Sequence, residues 1–79
     1  MNADMHISSN HYIFTVLIEQ DEDGYYVATV PALKSCYTQA KTREELSPRI
    51  REVIELCLEE EEPTPMRLVA LDQFEFVRA

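Results

Sequence analysis

The stretch Tyr12-Ile13-Phe14-Thr15-Val16-Leu17-Ile18-Glu19-Gln20-Asp21-Glu22-Asp23-Gly24-Tyr25-Tyr26-Val27-Ala28-Thr29-Val30-Pro31 decides the fold. Tyr12 to Glu19 is rich in β-branched and aromatic residues, and its polarity follows the two-residue repeat of a strand. Tyr12, Phe14, Val16 and Ile18 fall on one face, apolar throughout, which is expected to meet the core. Ile13, Thr15, Leu17 and Glu19 fall on the other, a mixed face expected to be partly wet or to lie at an interface. Gln20 to Gly24 reads as a turn, with Gly24 supplying the positive φ that closing a hairpin commonly needs. Tyr25 to Val30 resumes the strand pattern, and Pro31 ends it by removing a ladder donor. So short a loop pairs the two strands antiparallel.

Outward from this hairpin, Cys36-Tyr37-Thr38-Gln39 reads as a third strand. Then the period changes. Leu46, Ile50, Val53, Ile54 and Cys57 form a helical stripe, with Leu56 and Leu58 at its edges. Thr42 with Glu45 fits the capping box that starts a helix. Ser47-Pro48 leaves two readings, because an interior proline costs about 3 kcal/mol and one at the first helical position costs little. Either the helix starts at Thr42 and is disturbed near Pro48, or a short turn precedes a helix capped by Ser47. The favoured expectation is one helix from Arg43 or Glu44 to about Glu61. Pro63-Thr64-Pro65 stops it, and Phe74 to Arg78 alternates again as a final short strand. The expected organisation is a flexible segment, residues 1–11, followed by a single α+β domain, residues 12–79. Its order is β-β-β-α-β, a small antiparallel sheet with one packed helix.

Composition narrows the partners. The 79 residues carry 7 Lys+Arg against 15 Asp+Glu, a net charge of −8. Such a chain is expected to avoid direct contact with nucleic acid and anionic membranes, both polyanions. No apolar run approaches the roughly 20 residues of a spanning helix. Met1 to Asn10 lacks the basic and apolar regions of an export signal, and Cys36 and Cys57 make no disulfide framework, so a reducing cytoplasmic location is expected. Gly24 is the only glycine, which removes every Gly-rich phosphate loop at once.

Read in order, Tyr12 to Glu19, Asp21 to Ala28, Val30-Pro31-Ala32-Leu33, Cys36 to Ala40, Thr42 to Leu46 and Ile50 to Leu56 resemble the N-terminal domain of the HicB antitoxin family. The similarity covers about Tyr12 to Glu62, and its most specific piece is Val30-Pro31-Ala32-Leu33 leading to Cys36 and Thr38-Gln39. Members commonly carry Pro-Gly where this chain has Lys34-Ser35, Gly where it has Ala40, and helix formers where it has Ser47-Pro48. The resemblance implies a reduced RNase H-like sheet with a helix packed on it. Many HicB proteins append a DNA-binding domain. With the chain ending at Ala79, none is expected here.

Several residues invite chemistry. Asp21, Glu22 and Asp23 lack the ligand array of an EF-hand and read as a solvated hairpin tip. Two-metal nuclease chemistry needs carboxylates converging from separate elements, and Glu19 alone is not a site. His6 and His11 lack helical spacing and a third ligand. Cys57 reads as a small core hydrophobe, and Cys36 has only Lys34 nearby in sequence to activate it. No catalytic, metal or cofactor residue is therefore expected, and the protein is expected not to be an enzyme.

Glu59-Glu60-Glu61-Glu62 is the oddity, because carboxylates at a helix C-terminus oppose the macrodipole by about 0.3–1 kcal/mol each. Solubility would explain it, and so would a basic partner. The resemblance implies such a partner: a small, basic HicA-type mRNA-cleaving toxin of a type II toxin-antitoxin system, masked by direct binding. Glu19, Asp21, Glu22, Asp23 and Glu59, Glu60, Glu61, Glu62 are the expected contacts, forming one acidic face. The alternative is a stand-alone homo-oligomeric binding or scaffold module with no toxin, burying the mixed strand face and Leu56 between identical subunits. A homo-dimer or higher homo-oligomer is expected in either case.

Overall fold

The computed structural model describes residues 11–78. The expected flexible lead-in lies outside the described residues, except for His11.

Three strands, β1 (Leu17–Gln20), β2 (Tyr26–Thr29) and β3 (Tyr37–Ala40), form an antiparallel sheet in chain order, followed by one helix, α1 (Arg43–Glu60). The hairpin closes as the sequence predicts. Gly24 adopts φ 89°, and its N–H donates to the Asp21 carbonyl at 3.0 Å. The Asp21 carboxylate accepts from the backbone N–H groups of Asp23 and Tyr25, both at 2.9 Å. This side-chain turn fixes the tip locally.

The register pairs Leu17 with Thr29 and Gln20 with Tyr26. It also explains why β1 is shorter than its sequence pattern. Continued backwards, the register sets Thr15 opposite Pro31, which has no N–H to donate, so the ladder stops while Tyr12 to Val16 keep their alternation. Phe14 and Val16 face the core, and the Tyr12 ring stacks on Phe14 with centroids 5.6 Å apart.

The helix is single and begins at Arg43, which settles the choice between Thr42 and Ser47. Thr42, in an extended conformation, caps it by accepting the Glu45 N–H on its hydroxyl at 3.1 Å. Pro48 sits inside, in the second turn, where its missing N–H leaves the Glu44 carbonyl without an intrahelical donor. The stripe read from the sequence is the contact surface. Leu46 and Ile50 pack with Ala28, Ala40, Val16 and Tyr26. Val53, Ile54, Cys57 and Leu58 pack with Val30, Leu33, Cys36 and Phe14. Phe14 and Val16 leading into β1, Tyr26, Ala28 and Val30 on and just after β2, and Cys36 and Ala40 on and just before β3 occupy alternate positions, so one helix covers one sheet face. The opposite face, with Ile13, Leu17, Val27 and Tyr37, has no helix over it among the described residues.

After Glu60 the chain extends. The Glu61 N–H closes the helix on the Cys57 carbonyl at 3.0 Å, Pro63 is buried, and the Thr64 N–H donates to the Ala32 carbonyl at 2.8 Å. The expected fourth strand, Phe74 to Arg78, does not form. A strand exists only through a partner's ladder, and among the described residues no neighbouring strand is presented to this segment. It runs as an exposed arm, with Phe74 80% and Phe76 89% exposed.

Ser35 takes the left-handed conformation at φ 55°. Glycine adopts this conformation without cost, whereas the Cβ of Ser35 opposes it. Ser35→Gly is expected to raise the unfolding free energy by about 0.5–1 kcal/mol, measured by urea denaturation. Gly24→Ala tests the same physics in reverse. A Cβ there would meet nothing within 4 Å, so the loss of about 1 kcal/mol comes from backbone conformation alone.

Candidate acidic interface

The acidic residues singled out in sequence are not gathered on one face. Ala40 pairs with Tyr26, and Tyr26 with Gln20. The hairpin tip therefore lies at the end of the sheet where α1 begins. The helix finishes at the other end, against the Ala32–Lys34 loop, where the Lys34 N–H donates to the Glu61 carboxylate at 3.0 Å. Between the two blocks runs α1, whose 18 residues span about 27 Å. The single acidic face expected from sequence is thus two sites at opposite ends, because helix direction along a sheet is a tertiary property.

Within each block the carboxylates differ. Glu19, Glu22 and Asp23 are exposed at the tip, while Asp21 is engaged in forming the turn. Glu59, Glu60 and Glu62 are exposed at the helix end, while Glu61 is half-buried and holds the loop through Lys34. Asp21 and Glu61 are therefore best understood as structural residues.

The helix adds carboxylates that the sequence reading left out. Glu52 and Glu55 are exposed on α1 and lie at i−7 and i−4 from Glu59, on the same side of the helix. No Lys or Arg occurs from Glu52 to Met66. The result is an acidic stripe along the C-terminal half of α1, with no basic residue in its last turn. Helical spacing of the glutamates was the available signal. The basic residues of α1 lie towards its start, where the Arg49 guanidinium donates to the Gln39 carbonyl at 2.7 Å and pins the helix to β3.

The nucleophile candidates behave as core. Cys36 is buried, and its thiol donates a long contact of 3.8 Å to the Val53 carbonyl. Burial, with the neighbouring Cys57 thiol and the Glu61 carboxylate, pushes the Cys36 thiol from an ordinary 9.0 up to about 12. Lys34, the activator considered in sequence, donates only its backbone N–H in this loop, and to Glu61 rather than to the sulfur. Cys57 is half-buried in the same cluster. His11 is exposed, and His6 lies outside the described residues. Among the described residues, no three His, Cys, Asp or Glu side chains converge to hold a metal ion. Nor is any helix there long and apolar enough to cross a membrane.

An apolar cleft of about 260 Å³ lies at the α1 C-terminal end, between the residues leading into β1 and the chain beyond Pro65. Its walls include Ile13, Leu17, Pro31, Ala32, Leu68 and Leu71. Neither this cleft nor the exposed arm beyond it was read from the sequence as a surface.

The chain matches no family model and no solved structure. It is similar to proteins named UPF0150. One from Synechocystis sp. is 63% identical over 51 residues, spanning 65% of this chain and 74% of the relative. One from Archaeoglobus fulgidus is 59% identical over 46 residues, spanning 58% of this chain and 67% of the relative. A more extended match, 39% identical over 66 residues, joins 80% of this chain to 88% of a protein from Thermotoga maritima.

The state of Cys36 has a measurable consequence. Its thiol stays protonated in the folded chain well above the pH at which an unfolded cysteine ionises. In native protein at pH 8, iodoacetamide is expected to leave Cys36 unmodified over hours and to alkylate it within minutes in urea, as followed by peptide mass mapping. Folding stability supplied by this group is complete below pH 9.0, the unfolded value, and is lost as pH climbs towards about 12.

Proposed function

We propose that this chain, which belongs to the UPF0150 family, is a cytoplasmic, non-enzymatic antitoxin-like protein of the HicB type. Its partner in this reading is a small basic HicA-type toxin that cleaves mRNA, and the inhibition is steric. The observation that carries the reading is the acidic stripe Glu52, Glu55, Glu59 and Glu60 at the C-terminal half of α1. Each carboxylate near that helix end is held at a disadvantage of about 0.3–1 kcal/mol by the macrodipole. Glu55 and Glu59 also repel each other at i, i+4. A basic surface laid along the stripe would offset both penalties and would compete with RNA for the same cations. The hairpin-tip block, at the end of the sheet where α1 begins, then serves to steer encounter rather than to share the contact.

The exposed apolar arm favours a second reading, a stand-alone homo-oligomeric module with no toxin. Gene neighbourhood separates the two: the toxin reading requires an adjacent gene for a small basic polypeptide.

Replacing Glu52, Glu55, Glu59 and Glu60 together by Gln gives a two-sided test. The free protein is expected to gain about 1 kcal/mol in urea denaturation, since unfavourable charge has been removed. Binding to the neighbouring basic polypeptide, measured by calorimetry at low salt, is expected to weaken at least about tenfold and to lose most of its salt dependence. Equal affinity of the two forms would dismiss the stripe as the contact. Absence of any binding by the unaltered chain would dismiss the antitoxin reading.

A further inference from the structure

We propose that the C-terminal arm is exchanged between two copies of this chain, Phe74 and Phe76 of each docking at the apolar cleft of the other. The inference goes beyond the toxin reading and holds whether or not a toxin exists.

The arm is apolar on both sides. Val69, Leu71, Phe74, Phe76 and Val77 are all exposed, from 72% at Leu71 to 89% at Phe76. With Met66 and Leu68 they offer on the order of 600–700 Å² of apolar surface per chain. Isolated exposed patches above a few hundred Å² mark interaction sites. A standard interface uses about 800 Å² of total surface from each partner, so the arm and the cleft it enters supply most of what a stable dimer needs.

The cleft is the complementary half. At about 260 Å³ it exceeds the roughly 150 Å³ apolar cavity that accepts benzene, so it has room for a phenyl ring. It opens beside Ile13, 70% exposed, and Leu17, on the sheet side that α1 leaves uncovered.

Neither Phe74 nor Phe76 of the same chain lines the cleft. Leu68 and Leu71 already form one wall of the cleft. For Phe74 to return, the backbone would have to reverse at Asp72-Gln73, and a two-residue reversal favours Asn-Gly, Asp-Gly or a glycine at its first position. The chain's single glycine is Gly24. Pro63 and Pro65 fix the exit direction, and the Thr64 N–H ties it to Ala32. Beyond Leu71 the extended chain reaches about 16 Å further to Phe76, enough to cross into an abutting copy.

Charge selects a second copy over the basic partner proposed above. Met66 to Arg78 contains Arg67 and Arg78 against Asp72 and Glu75, so the arm is neutral within a chain of −8. It is the segment through which two like-charged copies approach at least electrostatic penalty, whereas a basic protein is drawn to the carboxylates. Reciprocal exchange also closes the contact on a two-fold axis and leaves no unsatisfied arm.

The test uses the full chain and two variants altered only at exposed positions. Sedimentation equilibrium of the unaltered protein is expected to return twice 9.2 kDa. Phe74→Ser with Phe76→Ser, which removes the arm's rings, and Ile13→Glu, which charges the cleft, are each expected to raise the dimer dissociation constant at least 100-fold. Both should keep an unchanged far-ultraviolet circular dichroism spectrum. Mixing the two variants restores one intact arm–cleft pair, and dimer is expected to reappear in the mixture at concentrations where each variant alone is monomeric. A monomeric unaltered chain overturns the proposal, as does a dimer indifferent to the arm variant or a mixture that stays monomeric. A loss of dimer leaves binding of the basic polypeptide to the α1 stripe unaffected, so failure here and failure of the toxin reading are separately visible.

Discussion

One constraint governs this molecule: a single helix can cover only one face of its sheet. Leu46, Val30 and Cys36 are the largest fully buried side chains, and all three lie in the seam between α1 and the strands. Burying each is worth about 1.5–3 kcal/mol at most, in a chain whose length leaves little stability to spare. Phe14 and Val16 extend the seam, and the Thr42 cap and Arg49–Gln39 bond set where the helix begins and how it lies. Everything else follows from what this arrangement cannot cover: the second sheet face, the chain beyond Pro65, and the charged outer side of α1.

The helix carries a conflict between local and global requirements. Its N-terminal turn is well served, with Thr42 as cap and Glu44 and Glu45 favourable to the dipole. Its C-terminal half is not, since Glu52, Glu55, Glu59 and Glu60 add negative charge towards the negative pole. Glu61 is the exception, because its carboxylate accepts the Lys34 N–H and secures the loop that Pro63 and Thr64 close. One glutamate of the block therefore has a structural role, and its neighbours have none within the described chain. That difference makes the exposed carboxylates, rather than the acidic block as a whole, the part on which the proposed contact rests.

Much of the fold was legible in the residue order, because local rules act within a few positions. Gly24 was readable from hairpin geometry, Thr42 from its spacing to Glu45, and the Leu46-to-Cys57 stripe from helical period. Each signal is contained in one element. What escaped depends on how elements meet. The two acidic blocks read as one face because their separation follows from the Gln20–Tyr26–Ala40 register, which sequence proximity does not reveal. Tyr26 and Tyr37 begin strands with similar patterns, yet Tyr26 packs against the Leu46 cluster and Tyr37 lies open to water. Phe74 to Arg78 has a strand's alternation without a strand's partner. Ser35 shows the opposite failure: a polar residue betrays no left-handed turn until the loop around it is placed.

The alternation in the arm is then informative precisely because it is unused within the chain. A segment free of any packing requirement has no reason to place Phe74 and Phe76 two residues apart, flanked by Glu75 and Gln73. Solvated segments of this length are ordinarily polar, since exposed rings gain nothing in water and invite aggregation. The uncovered sheet face presents the matching deficit, with Ile13 and Leu17 beside a cleft that no helix fills. Two deficits created by the same shortage of core, one a donor and one an acceptor, are most economically met together. A sheet face left open among the described residues can be covered by a second copy, provided the covering segment is neutral enough to approach a surface of the same sign. Arg67 and Arg78, set among Asp72 and Glu75, supply that neutrality.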